Sequence, residues 1–151
     1  MSAKTMSNNR PFAIEIRVYY EDTDAGGIVY YANYLRFLER ARTEFLRQLG
    51  HSQHVMLQEN IAFAVRSVSA EYLKPAKLDD LLVIETGIES LGRAQLTFVQ
   101  HIRRDSERLL DAKIRVACIN PVRGKPMAMP RLIHEQFAAL VATATPTGNT
   151  P

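Results

Sequence analysis

From Tyr34 to Leu49 the apolar residues Tyr34, Leu35, Leu38, Ala41, Phe45, Leu46 and Leu49 recur every three or four positions, the stripe of one helix face. Phe37 widens that stripe, so this helix is expected to be covered on more than one side. Gly50 stands where a C′ residue would end it. The other long periodic segments read as strands: "FAIEIRVYY" ahead of the helix, then "IAFAVRSVSAEYL", "LLVIETGI", "RAQLTFVQHIRR" and "LLDAKIRVACIN" behind it. One helix cannot fill the core beneath five strands laid flat. The sheet has to curl around it, as antiparallel strands do when they twist strongly. The order strand, long helix, four strands, short helix therefore predicts an α+β fold, a curved antiparallel sheet wrapped around one long central helix.

Individual strands carry further expectations. Ile14, Ile16 and Val18 share a face, as do Ala94, Leu96, Phe98 and Ile102, and Leu110, Ala112, Ile114, Val116 and Cys118. In the second strand Ile61, Phe63 and Val65 fall on one face and Val68, Ala70 and Tyr72 on the other, which predicts a bulge or sharp bend between them. "HSQHVMLQEN" suits one or two helical turns, "RDSER" a hairpin connection and "RGKP" a turn. Pro130 fits the first position of a terminal helix, "RLIHEQFAALVA". Residues 11–143 form one domain without repeat or linker, and the polar stretches 1–10 and 144–151 are expected to be disordered tails.

The hydrophobic share of 46% excludes a wholly disordered chain. No apolar run reaches the roughly 20 residues that span a bilayer, and "MSAKTMSNNR" has no apolar core of a secretory signal. Cys118, in an apolar strand, reads as a buried thiol. A cytoplasmic location is expected. The net charge of +3 is mildly basic, but Arg36, Arg40, Arg42 and Arg47 alternate with Glu39 and Glu44 as on a solvated helix face, so no nucleic-acid partner is implied. His51, His54, His101 and His134 have no zinc-motif spacing and read as surface or satisfied residues.

The chemistry lies just ahead of the long helix, in "YYEDTDAGGIVYYAN". A helix N-terminus carries unsatisfied N–H groups and about half a positive charge, enough to polarise a carbonyl oxygen. A nearby carboxylate can then act as base or nucleophile on the carbonyl carbon. Gly26 and Gly27 let a backbone approach closely. Asp and Gly are equally ordinary as capping and turn residues, so the loop alone leaves both readings open. A metal held by Glu21, Asp22 and Asp24 would lack the alternating ligand loop with a distal Glu that calcium uses.

"RVYYEDTDAGGIVYYANYLRFLERARTEFL", with "AFAVRSVSAEYLKPAKLDDLLVIET" and "RLLDAKIRVACIN", resembles the 4-hydroxybenzoyl-CoA thioesterase family of hotdog-fold enzymes over Phe12 to about Phe137. The Asp-Thr-Asp-Ala-Gly-Gly-Ile-Val-Tyr form is similar to the branch associated with the Tol-Pal cell-envelope system. The motif Asp-x-x-Gly-x-Val-aromatic falls on Asp24, Gly27, Val29 and Tyr30. The resemblance implies a hotdog fold, a homodimer or homotetramer with interfacial sites, and hydrolysis of an acyl-CoA thioester. It implies Asp24 as the catalytic carboxylate and the backbone N–H near Tyr31 as the group polarising the carbonyl, with Gly26, Gly27, Val29 and Tyr30 at the substrate. Asp22 matches no catalytic role and is expected to hydrogen-bond within the loop. Where the Tol-Pal branch often carries a histidine, this chain has Tyr31, as the hydroxybenzoyl enzyme does.

No cofactor or metal is implied. The phosphates of CoA need cations, and Arg93 is the expected contact, with Lys74, Lys77 and Arg66 as further candidates. An acyl carrier protein is an alternative donor. The competing function is a non-catalytic acyl-CoA or acyl-carrier-binding module acting as an envelope partner. A hotdog dehydratase would need a suitably placed histidine, and none is evident.

Overall fold

The computed structural model describes residues 11–144. The expected tails lie outside this range, except for Ala144. In chain order the elements are β1 (Phe12–Arg17), α1 (Asn33–Gln48), α2 (Gln53–Gln58), β2 (Ala62–Tyr72), β3 (Leu81–Leu91), β4 (Gln95–Arg104), β5 (Glu107–Asn120), β6 (Lys125–Pro126) and α3 (Arg131–Ala144). The main sheet runs β1-β3-β4-β5-β2 with every pairing antiparallel, and β6 adds a short pairing to β5. It wraps α1 in the hotdog arrangement.

Helix α1 is the axis of one continuous core. Tyr34, Phe37, Leu38, Ala41, Phe45 and Leu46 are buried on one half of the helix, while Leu35, Arg36, Glu39, Arg40, Glu44 and Arg47 stay exposed on the other. A single chain therefore does not cover it on every side as the widened stripe led one to expect. Phe45 sits in the middle, its ring centroid 5.6 Å from Phe12, 5.7 Å from Phe98 and 6.4 Å from Phe137. Two strands, β1 and β4, and the terminal helix thus meet on a single residue. Gly50 ends α1 as expected: at φ 97° it lets its own N–H reach the Arg47 carbonyl and the His51 N–H reach that of Leu46. A buried polar link locks helix to sheet. Gln100 donates to the Leu38 carbonyl at 3.0 Å and to Thr86 Oγ1 at 2.9 Å, while Arg42 donates to Gln100 Oε1 at 3.1 Å.

Several local expectations need correction. The bulge in β2 is present, between Val65 and Ser67, but it does not split the apolar residues between two faces. Phe63 and Val65 oppose Cys118 and Val116, and past the extra residue Val68, Ala70 and Tyr72 oppose Ile114, Ala112 and Leu110. The bulge restores one common face, because an inserted residue shifts the period-two alternation by one. Leu35 departs from the helix stripe and is exposed, whereas the β1 face holds: Ile16 and Val18 are buried, Ile14 packs against the core, and Phe12 joins them. Pro130 precedes α3 rather than opening it, accepting the His134 N–H at 3.0 Å. "RGKP" turns at Gly124 but then pairs as β6.

Candidate active site

The acidic loop is built from nested short bonds. Asp22 anchors it: Oδ2 accepts the Tyr19 N–H at 2.8 Å, and its carbonyl oxygen accepts the Tyr30 N–H at 3.1 Å. Asn33, the first residue of α1, donates through Nδ2 to the Asp22 carbonyl at 3.2 Å and to Oδ1 at 3.4 Å. Within this frame, Thr23 bridges Val29 and the chain reverses over Asp24–Gly27. The Gly27 N–H donates to the Asp24 carbonyl at 3.0 Å, and the Asp24 N–H to that of Ile28 at 2.9 Å. Gly27 takes φ 81°, the left-handed region a side chain resists.

Asp24 itself is exposed. Its Oδ1 accepts the Gly26 N–H at 2.8 Å, and a Cβ on Gly26 would stand 3.4 Å from that oxygen. Among the described residues Oδ2 accepts no hydrogen bond. Asp22 and Asp24 therefore differ in kind. The first spends both oxygens on the loop, and the second is held by one oxygen while the other accepts no hydrogen bond among the described residues. The acids do not converge on one point, and among the described residues no cluster of three metal-type ligands occurs.

Tyr31 does not belong to α1. It lies in the turn before it, with Ala32 as the N-cap. The Asn33 N–H donates to the Tyr30 carbonyl at 2.8 Å, and the Tyr72 hydroxyl donates to the Tyr31 carbonyl at 3.3 Å. Among the described residues the N–H groups of Tyr31 and Ala32 meet no backbone acceptor. Tyrosine rings cover the turn: Tyr30 to Tyr31 at 5.1 Å, Tyr31 to Tyr72 at 6.4 Å and Tyr72 to Tyr34 at 5.5 Å. Tyr30 and Tyr31 are exposed, whereas Val29 is buried, its N–H on the Ala76 carbonyl at 2.9 Å. Val29 supports the loop from beneath.

The segment joining β2 to β3 backs the loop, with Leu78 N–H on the Gly27 carbonyl and Ile28 bridged to Lys77. Of the four expected phosphate contacts, Lys74 and Lys77 lie here. Lys74 is already paired with Glu107 at 2.6 Å, and Arg104 joins Glu107 and Asp80, both at 2.7 Å. The hydrogen bonds from Arg104 and Lys74 hold the Glu107 carboxyl down at about 2. Arg66 is the inserted residue of the β2 bulge. Arg93 lies two residues beyond Leu91, the far end of β3, and that end is itself about 30 Å from the loop end at Leu81 at the usual strand rise. One chain does not bring Arg93 to Asp24.

The histidines stay outside this site: His51 Nε2 is 2.6 Å from Gln136 Oε1, and His101 Nδ1 is 2.9 Å from Asp111 Oδ1. Cys118 is buried, which pushes its thiol up and away from the reactive thiolate. Two features were not anticipated from sequence. Tyr72 reaches the turn from another strand, and a groove of about 290 Å³ runs between α1 and the β2–β5 pair, lined by Leu35, Phe63, Val65, Val68 and Val116 with Arg42 at its wall.

Residues 26–110 match the model of the thioesterase superfamily, a match that starts two residues after Asp24. The acyl-CoA thioester hydrolase YbgC of Escherichia coli is 47% identical over 131 residues, covering 86% of this chain and 98% of that protein. The acyl-CoA thioesterase YbgC of Haemophilus influenzae is 45% identical over 127 residues, 83% and 93% of the two chains. Among solved structures, a probable thioesterase from Bartonella henselae superposes with a TM-score of 0.76 at 37% identity, over 80% of this chain and all of that one.

Proposed function

We propose, from the premise that this chain belongs to the thioesterase superfamily and is a thioester hydrolase, that it hydrolyses acyl-CoA to a carboxylic acid and free CoA with Asp24 as its catalytic carboxylate. The single observation that carries the assignment is the contrast between the two aspartates. Asp22 is consumed by the loop, while Asp24 is oriented by the Gly26 N–H and keeps Oδ2 open. An open, oriented carboxylate can attack the thioester carbon or take a proton from the attacking water. The negative charge that develops on the carbonyl oxygen is met by the N–H groups of the Tyr31 turn, which have no competing backbone acceptor among the described residues. Where Asp24 acts as base, the proton it takes from water passes to the departing CoA sulfur. Where it attacks, the C–S bond breaks to leave an acyl-Asp24 anhydride, which water hydrolyses to free the acid, regenerate the carboxylate and supply the thiol proton. Gly26 and Gly27 let the loop backbone approach the thioester closely, and Val29 and Tyr30 flank it.

The acting assembly is a homodimer or homotetramer. The outer edge of β2 carries exposed Val65, Val68 and Tyr72 beside the apolar groove, a surface that a second copy would cover. In that assembly Arg93 meets the CoA phosphates of a neighbouring copy's site, and Lys77 those of its own. The protein works in the cytoplasm, where Cys118 stays reduced; no helix among the described residues is long and apolar enough to cross a membrane. An acyl carrier protein is a second donor to test.

A thiol-release assay over aromatic and aliphatic acyl-CoAs tests the reading. Asp24→Asn should bind CoA esters with unchanged KM and lose at least a hundredfold in kcat, the low end of general-base contributions. Turnover above about a tenth of the parent rate would make Asp24 a turn residue. Binding of acyl-CoA without thiol release by the parent protein would favour the binding-module alternative, including an envelope (Tol-Pal) role.

A further inference from the structure

We propose that Tyr72 is a positioning residue for hydrolysis: its hydroxyl clamps the Tyr31–Ala32 peptide so that the Ala32 N–H serves as a second donor to the thioester oxyanion. The inference rests on the reading that the turn before α1 polarises the thioester carbonyl. Its starting point is the 3.3 Å hydrogen bond from the Tyr72 hydroxyl to the Tyr31 carbonyl oxygen.

A trans peptide is planar, so fixing its C=O also fixes the N–H on the opposite side, and no cis bond occurs among the described residues. Holding the Tyr31 carbonyl therefore aims the Ala32 N–H. The preceding peptide is held in the same way, since the Tyr30 carbonyl accepts the Asn33 N–H at 2.8 Å and so aims the N–H of Tyr31. Two successive N–H groups are each fixed from behind, and neither has a backbone acceptor among the described residues. The two clamps differ in origin. One is made by the backbone of the helix itself, while the other comes from the end of β2, 41 residues away in sequence.

The Tyr72 hydroxyl is itself held. Its ring packs edge-on against Tyr34 at 5.5 Å and Tyr31 at 6.4 Å. Tyr34 is buried and accepts the Ala76 N–H at 2.9 Å, which fixes the ring behind Tyr72. Preorganised donors stabilise a developing charge without reorganising when it forms, which is why a clamp on the peptide would appear in kcat rather than in KM.

The test is steady-state hydrolysis of several acyl-CoAs by the parent protein, Tyr72→Phe, Tyr72→Leu and Asp24→Asn, with thermal unfolding of each. Tyr72→Phe removes one oxygen and keeps the ring packing. Deleting an oxyanion donor costs a hundred- to a thousandfold, so loosening one that remains should cost about tenfold in kcat. That loss should be the same for every acyl group, with KM within about twofold and unfolding temperature unchanged. Tyr72→Leu should lose at least as much kcat. An unchanged kcat in Tyr72→Phe with an inactive Asp24→Asn would overturn the clamp and leave the catalytic assignment standing. A slowed Tyr72→Phe with an active Asp24→Asn would uphold the clamp and sink the Asp24 assignment. A KM effect that varies with the acyl group would make Tyr72 a pocket wall and overturn the proposal.

Discussion

The Tyr34 hydroxyl accepts the Ala76 N–H at 2.9 Å, and both residues are buried. This bond joins the first turn of α1 to the β2–β3 connection that backs the acidic loop. Burial pushes the Tyr34 phenol up, so it stays a neutral partner over the whole working pH range.

Tyr34→Phe should be destabilising although it adds no bulk. The Ala76 N–H would lose its acceptor in the interior, and an unsatisfied buried donor costs about 1–3 kcal/mol. For a chain of this size that is a fall of roughly 2–10 °C in unfolding temperature. Calorimetry showing no change would mean that water reaches Ala76.

Tyr31→Phe should keep most of the activity. The residue is 64% exposed, and the contribution proposed for it is its backbone N–H, which the substitution leaves alone. A loss as deep as that of Asp24→Asn would bring the phenol hydroxyl into the reaction.

Asp22→Ala should act through structure. It removes acceptors from the Tyr19 N–H and from Asn33, bonds worth about 1 kcal/mol each, and it frees the hairpin that carries Asp24. The expected result is a lower unfolding temperature together with a kcat loss well short of that in Asp24→Asn. Full stability with abolished turnover would make Asp22 catalytic.

The fold was legible because its two periods are cleanly separated. The three-four spacing through Phe45 and Leu46 and the alternation through Ile114 and Val116 leave one helix for five strands, and curling follows. The β2 bulge was legible as a break in phase, but its consequence was not, since one strand in isolation does not reveal which face its partner presents. Gln100 shares the inward face of Phe98 and Ile102, but a polar residue there gives no sign of its partners until Leu38, Thr86 and Arg42 are seen to use all of its polar atoms. The loop motif pointed to Asp24 and Tyr31 directly, being contiguous in sequence. Tyr72 is joined to them only by tertiary structure, and the end of the sheet at which Arg93 lies is likewise set by strand pairing that the sequence does not record.

Glu107 gives a pH-dependent prediction. Its carboxyl is held at about 2 by Arg104 and Lys74, against an ordinary 4.5. Between these values the unfolded chain binds a proton that the folded chain does not, so this contribution to stability is present above pH 4.5 and fades as pH falls towards 2. Glu107→Gln should therefore unfold earlier than the parent protein at pH 6, and the gap should close towards pH 2. Solvent screening keeps the effect small, because the group is exposed. A gap that widens on acidification would contradict the pairing.

β2 leaves its outer edge unpaired among the described residues. The strand is 11 residues long and ends the sheet, with Val65 at 50% and Val68 at 43% exposure next to the apolar groove. A long apolar edge is a template for another chain unless something covers it, and a two-fold pairing of two β2 strands would extend the sheet and close the groove at once. Light scattering at micromolar concentration should then give two or four times the chain mass of 17.1 kDa. Val68→Lys puts a charge into that contact and should shift the protein towards the single-chain mass without unfolding it, as the side chain is already half exposed. Activity should fall with the dimer. If Arg93 serves the site of a neighbouring copy, Arg93→Ala should raise KM for CoA esters in the assembled protein and add nothing in the Val68→Lys background. A parent protein that runs at the single-chain mass and still hydrolyses acyl-CoA would put the whole site within one chain and remove Arg93 from it.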